Sequence, residues 1–119
     1  MTVFGLVIAL TLVAYVVALL YSFVMFDRLL RVEYDEHRDA WEKDGCPRGF
    51  FFRPPGSPFW RSRLAFYRVG YRWPFRRPSW VGDSTDAARH YTNWRIGLIA
   101  GYAALAVMMA SLILMPKAY

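Results

Sequence analysis

The chain has little cysteine and, over two long stretches, no charge. One cysteine, Cys46, among 119 residues excludes an internal disulfide and a disulfide-stapled scaffold. Residues 1–26 and 96–115 contain no Asp, Glu, Lys or Arg. Hydrophobic residues make up 56% of the chain, yet the mean hydropathy is only +0.18, because the charges are segregated. Fourteen of the 15 Lys/Arg and all nine Asp/Glu fall in residues 27–95. That pattern excludes an ordinary soluble enzyme domain and a disordered chain.

Other absences narrow the chemistry. Neither charge-free stretch holds a histidine, which argues against a pump, a transporter acting alone, or a haem or chlorophyll ligated within a span. No CxxC, HExxH or Glu-x-x-His spacing is present, so His37, His90, Cys46, Glu33 and Glu36 do not form a recognisable metal set. There is no glycine-rich phosphate loop and no Gly-x-Ser-x-Gly. Cys46 has no histidine near it in sequence, and the acids around Glu36 read as a solvated, ion-paired helix face. No catalytic residue, cofactor or metal is expected.

What is present is two membrane-length runs. Residues 3–26 and 96–115 would rise roughly 36 and 30 Å as helices, enough to cross a bilayer. The first lacks a basic leader and a small-x-small cleavage site, so it is expected to stay uncleaved. Arg28 and Arg31 follow the first run and Arg89 and Arg95 precede the second, whereas only Lys117 lies outside them. The positive-inside rule then puts residues 27–95 in the cytoplasm and both termini outside. Tyr91 and Trp94 suit the inner aromatic belt and Tyr119 the outer one.

Residues 27–95 divide into three blocks. Residues 27–44 are net acidic and continue the first helix, with a stripe of Phe26, Leu30, Tyr34, His37 and Trp41. Asp27 with Arg31 and Asp39 with Lys43 make acid-before-base pairs at i,i+4. Gly45 and Pro47 stop the helix. Residues 45–80 hold eight Arg, no acid and six Pro. One helix fits there, with Ser57 as N-cap and Pro58 at the first helical position, ending near Arg72. On its wheel Arg61, Arg68 and Arg72 cluster opposite Phe59, Trp60, Leu64, Phe66, Tyr67 and Tyr71, and only Arg63 breaks the pattern. Such a helix suits the membrane interface, and equally a protein docking surface. In residues 81–95, Asp83 or Ser84 can cap a helix that runs on into the second span.

The small residues supply a packing signal. Gly97, Gly101, Ala104 and Ser111 share a face of the second span, as do Ala14, Ala18 and Ser22 on the first. Small faces let helix backbones approach closely, in the hairpin itself or against further helices of a complex. The arginines and aromatics also fit nucleic acid in general terms, but beside two spans anionic headgroups are the better partner. No nucleic-acid partner is expected.

Asp44-Gly45 followed by Gly49-Phe50-Phe51, and Arg63-Leu64-Ala65-Phe66-Tyr67 with Tyr71-Arg72, carry a resemblance. Together with the two-span layout, they resemble universal stress protein B, a family of small bacterial inner-membrane proteins. Arg53-Pro54-Pro55 and residues 73–80 depart from that pattern. The resemblance implies a bacterial inner membrane and a link to stress survival, with no catalytic residues.

The expected architecture is an all-α membrane protein, an antiparallel two-helix transmembrane hairpin. Its parts are a span over 1–26, a cytoplasmic extension over 27–44, and a basic, aromatic, proline-rich segment over 45–83 with one interfacial helix. The cytoplasmic start of the second helix over 84–95, a span over 96–115 and an external tail over 116–119 complete it. The expected function is a non-catalytic accessory subunit of a larger bacterial inner-membrane complex, respiratory or photosynthetic in type. It would dock through the small-residue faces and through Phe50, Phe51, Phe52, Trp60, Arg61, Arg68, Arg72, Trp73, Arg76, Arg77 and Trp80. The alternative is a free-standing, stress-related membrane-surface protein that binds anionic phospholipid through the same residues.

Overall fold

A computed structural model describes residues 2–55 and 59–115. Ser57, Pro58, Lys117 and Tyr119 lie outside the described residues, and with them the expected cap of the middle helix and the external tail. The described residues form α1 (Val3–Glu36), α2 (Arg38–Lys43), α3 (Phe59–Arg72), a 3₁₀ turn (Ser79–Asp83) and α4 (Thr85–Leu114), with no strand among them. The long helices, α1 and α4, start at hydroxyl caps. Thr2 Oγ1 accepts from the Gly5 amide and Ser84 Oγ from the Ala87 amide, each at 3.0 Å.

Both long helices are of a length and apolarity to cross a membrane. No residue between 3 and 21 is buried, and the large side chains exposed there are Val and Leu, with Tyr21 at the end. An aqueous monomer rarely exposes so continuous an apolar belt. The molecule is 59 Å long, about twice the roughly 30 Å hydrocarbon core of a bilayer.

The two helices pack antiparallel. Gly97 faces Ser22 and Gly101 faces Ala18, so positions advance on one helix as they recede on the other. A Cβ at Gly97 would come within 3.1 Å of Ser22 Cβ and 3.3 Å of its Cα, whereas one at Gly101 would sit at an ordinary 3.8 Å from Ala18 Cβ. Gly97→Ala is therefore expected to push the helices apart, costing about 1–3 kcal/mol as overpacking does. Gly101→Ala should be tolerated. Thermal unfolding of the two variants in micelles separates them, and equal midpoints would show that the close approach at Gly97 is unimportant.

The extension of α1 is interrupted, not continuous to Asp44. His37 adopts φ −134°, ψ 56°, and the helix axis breaks there. The Tyr34 carbonyl instead accepts from Arg38 Nε at 2.7 Å, while that guanidinium lies 3.7 Å over the Tyr34 ring. The break lets the His37 ring stack on Trp80 at 5.3 Å. Then α2 ends in a Schellman motif: the Gly45 amide donates to Glu42 O and the Cys46 amide to Trp41 O, both at 3.0 Å. Gly45 (φ 95°) suits that left-handed turn, and Cys46 (φ 59°) is the non-glycine residue that tolerates it.

Above the apolar belt lies an aromatic core. Phe26 sits at its centre, 5.3 to 5.8 Å from the rings of Trp94, Phe66, Trp73 and Phe50. Leu29, Leu30 and Val81 fill the space around it with no exposed surface. Tyr91 Oη donates to the Trp73 carbonyl at 2.7 Å, fixing the chain after α3 against α4.

Candidate functional site

In the cap formed by residues 27–95, residues 50–52 are clasped to α1 by one carboxylate. Asp27, just past the charge-free run of α1, accepts three consecutive backbone amides: Phe50 N on Oδ1 at 2.7 Å, Phe51 N and Phe52 N on Oδ2 at 2.7 and 3.0 Å. Successive amides turned to one side make an anion-binding nest. Gly49 is buried beside it, and any side chain there would run into the Asp27 carboxylate. Asp27 is thus not the ion-pair partner of Arg31, whose guanidinium lies 4.9 Å over the Phe52 ring instead. Asp39 and Lys43 likewise make no ion pair among the described residues.

The clasp sends three phenylalanines in three directions. Phe50 stacks on Phe23 at 3.8 Å and meets the edge of Phe66. Phe52 packs edge-on to Tyr34 at 5.6 Å. Phe51 alone points outward, 69% exposed.

Helix α3 has three faces, one more than its hydrophobicity pattern suggests. Ser62, Ala65 and Val69 turn inward and are buried. The stripe on the opposite side is Trp60, Leu64, Tyr67 and Tyr71, exposed at 71, 63, 47 and 77%. Arg61, Arg68 and Arg72 lie exposed along one edge, and Arg63 along the other. Beyond α3, Arg76 and Arg77 are exposed as well. Trp73 and Trp80 are not: at 3 and 6% exposure they belong to the internal core, so their area is already used within the chain. Among the described residues, the ion pairs are Arg89 with Asp86 and His37 with Asp83. None of the eight arginines between residues 45 and 80 pairs with a carboxylate there.

Of the small residues, Gly97, Gly101, Ser111 and Ser22 are buried, and Ala18 and Ala104 are partly buried. Gly97, Gly101, Ala18 and Ser22 meet one another across the contact of α1 with α4. Ala14 is exposed. That stripe is used within the hairpin, which leaves less of it for a further helix.

One acid is hidden. Glu33 has no exposed surface, and neither carboxyl oxygen has a hydrogen bond of ordinary geometry. Burial foremost, then the nearby Asp44 carboxyl, push its pKa up to about 10, with Trp80 opposing. His90 is held below its usual range by burial and by Arg28. Among the described residues no three His, Cys, Asp or Glu side chains converge. Comparison with known protein families, with curated proteins and with solved structures finds no match for this chain.

Proposed function

We propose that this chain is a non-catalytic hairpin of the bacterial inner membrane whose cap engages the anionic lipid surface from the cytoplasmic side. The observation that carries this reading is the outer side of α3. A stripe of exposed aromatic and aliphatic residues runs beside arginines with no carboxylate partner. Tyr67 and Tyr71 line a cleft with Leu19, Phe23, Leu98 and Tyr102, residues of the two charge-free stretches. The stripe therefore lies at the height where acyl chains meet headgroups, the position of an interfacial helix. The arginines flanking both stretches favour this end as the cytoplasmic one.

The test uses Trp60, since Trp41, Trp73, Trp80 and Trp94 are all buried. In proteoliposomes with phosphatidylglycerol, Trp60 should be shielded from an aqueous quencher. Changing Arg61, Arg68 and Arg72 to Gln should restore access. At about 1 kcal/mol per basic residue, the three together shift the surface equilibrium of α3 by roughly 100-fold. Equal quenching in anionic and zwitterionic vesicles would remove the proposal.

A second reading, an accessory subunit of a larger membrane complex, draws on a different observation. Ala103, Ala106 and Ala110 are exposed on the face of α4 turned away from α1. Such a stripe suits close approach of another helix. Gentle extraction in stoichiometric complex with another membrane protein would favour it.

A further inference from the structure

Arg63, which breaks the pattern of α3, lines a cleft of about 420 Å³ with Arg48 and Arg53. Among the described residues no acid lines this cleft, and the Asp27 carboxylate is taken up by backbone amides. Arg48 and Arg63 lie 5.7 and 6.0 Å from the Phe59 ring, so that ring steadies both guanidinium groups. Three arginines lining one space, with no acid in the lining, suit a phosphate-bearing anion.

A second cleft, of about 310 Å³, adjoins the first, and Phe50, Phe66 and Tyr67 line both. It is apolar and lies between α3 and the two long helices, reaching Leu19 and Phe23 on α1 and Leu98 and Tyr102 on α4. A third, of about 250 Å³, continues it past Tyr71 towards Ile99. Gly70 lines both apolar clefts, and a Cβ there would meet nothing within 4 Å. Glycine weakens a helix interior, and no neighbour in the chain requires it at this position. The gap it leaves is room for something else.

We propose that the cap holds one anionic phospholipid, its phosphate among Arg48, Arg53 and Arg63 and an acyl chain in the groove beneath Gly70. Charge fixes the headgroup end, and the apolar groove at the ends of the charge-free stretches fixes the chain end. The inference rests on the surface reading above but concerns the Arg63 edge of α3, which shares Tyr67 and Tyr71 with the outer stripe. The outer stripe meets the bilayer collectively, while this site takes one molecule.

The experiment reconstitutes the full chain with equal phosphatidylglycerol and phosphatidylcholine, transfers it to a non-ionic detergent, and weighs it by native mass spectrometry. One retained phosphatidylglycerol per chain is expected, and excess inorganic phosphate should not displace it. Gly70→Leu sets its Cβ in open space and the rest of its side chain in the groove, and should cut retention at least tenfold, with helicity unchanged by circular dichroism. Changing Arg48, Arg53 and Arg63 to Gln should abolish the preference for phosphatidylglycerol. Wild-type chain that retains no lipid, or shows no headgroup preference, overturns the site. So does a Gly70→Leu protein that retains as much as wild type, and displacement by phosphate alone reduces it to an anion site. Trp60 shielding is measured on the same samples: if it persists while retention fails, the site falls and the surface reading stands. If retention persists without shielding, the surface reading falls and the site stands.

Discussion

Asp27→Ala is expected to release residues 49–52 from the hairpin and to cost about 4 kcal/mol. A hydrogen bond to a charged acceptor contributes about 1.5–3 kcal/mol, and this carboxylate accepts three. The full sum is not reached, because Phe51 is exposed and its freed amide can bind water. The consequence spreads inward through Phe50, which leaves its stack on Phe23 and its edge contacts with Phe26 and Phe66. Amide hydrogen exchange at Phe50, Phe51 and Phe52 gives the readout, with acceleration of at least 100-fold expected. Gly49→Ala should produce a similar loss from the other side, since the new methyl group occupies the carboxylate's place. Because both act on one contact, the double variant should cost little more than either alone. Additive costs, or unchanged exchange in Asp27→Ala, would mean that the segment is held by its aromatic contacts instead.

The outline of the fold was legible because it depends on local signals. Two charge-free runs of helical length announce α1 and α4, and Ser84 ahead of Asp86 announces where α4 begins. The stripe of Phe26, Leu30 and Trp41 is buried, as its spacing implies, with Tyr34 and His37 half-buried beside it. What was not legible depends on contacts between distant parts of the chain. Asp27 has Arg31 one turn away, and nothing local shows that amides 23 to 25 residues on will take its carboxylate. Ser62, Ala65 and Val69 form the docking face of α3, but Ser and Ala carry too little hydrophobicity to mark it. Two conspicuous aromatic and basic faces mask it, and against them Arg63 stands as an exception. Trp73 and Trp80 are buried because Trp73 packs on Phe26 and on Trp80, and Trp80 stacks on His37, contacts between distant residues that composition does not reveal. Aromatic richness thus serves two purposes here, a core and a surface, and sequence alone does not assign each ring to one.

Glu33 makes stability fall as pH rises. Its pKa stands at about 10 in the fold against 4.5 for the free side chain, so the folded chain holds a proton that the unfolded chain releases above pH 4.5. Stability is then full below pH 4.5 and falls as pH rises, by up to about 1.4 kcal/mol per unit, until the folded pKa is reached. At pH 7 the accumulated cost is about 3 kcal/mol. The groups facing Glu33 are the Asp44 carboxyl at the end of α2 and the Trp80 indole, with His37 and Asp83 a turn further along. Glu33→Gln keeps the shape and the neutral charge but needs no proton. It should match wild type near pH 4 and exceed it by about 3 kcal/mol at pH 7, and by more at pH 8. Thermal unfolding in micelles across that range tests this, with the lowered His90 common to both proteins and cancelling in the difference. A gap that stays constant with pH would show that Glu33 is ionised in the fold and that the oxygens gain partners from water. Asp44→Asn offers an independent check. Removing the neighbouring carboxylate lowers the folded pKa of Glu33, so it should narrow the gap at alkaline pH without closing it, because burial is the larger cause.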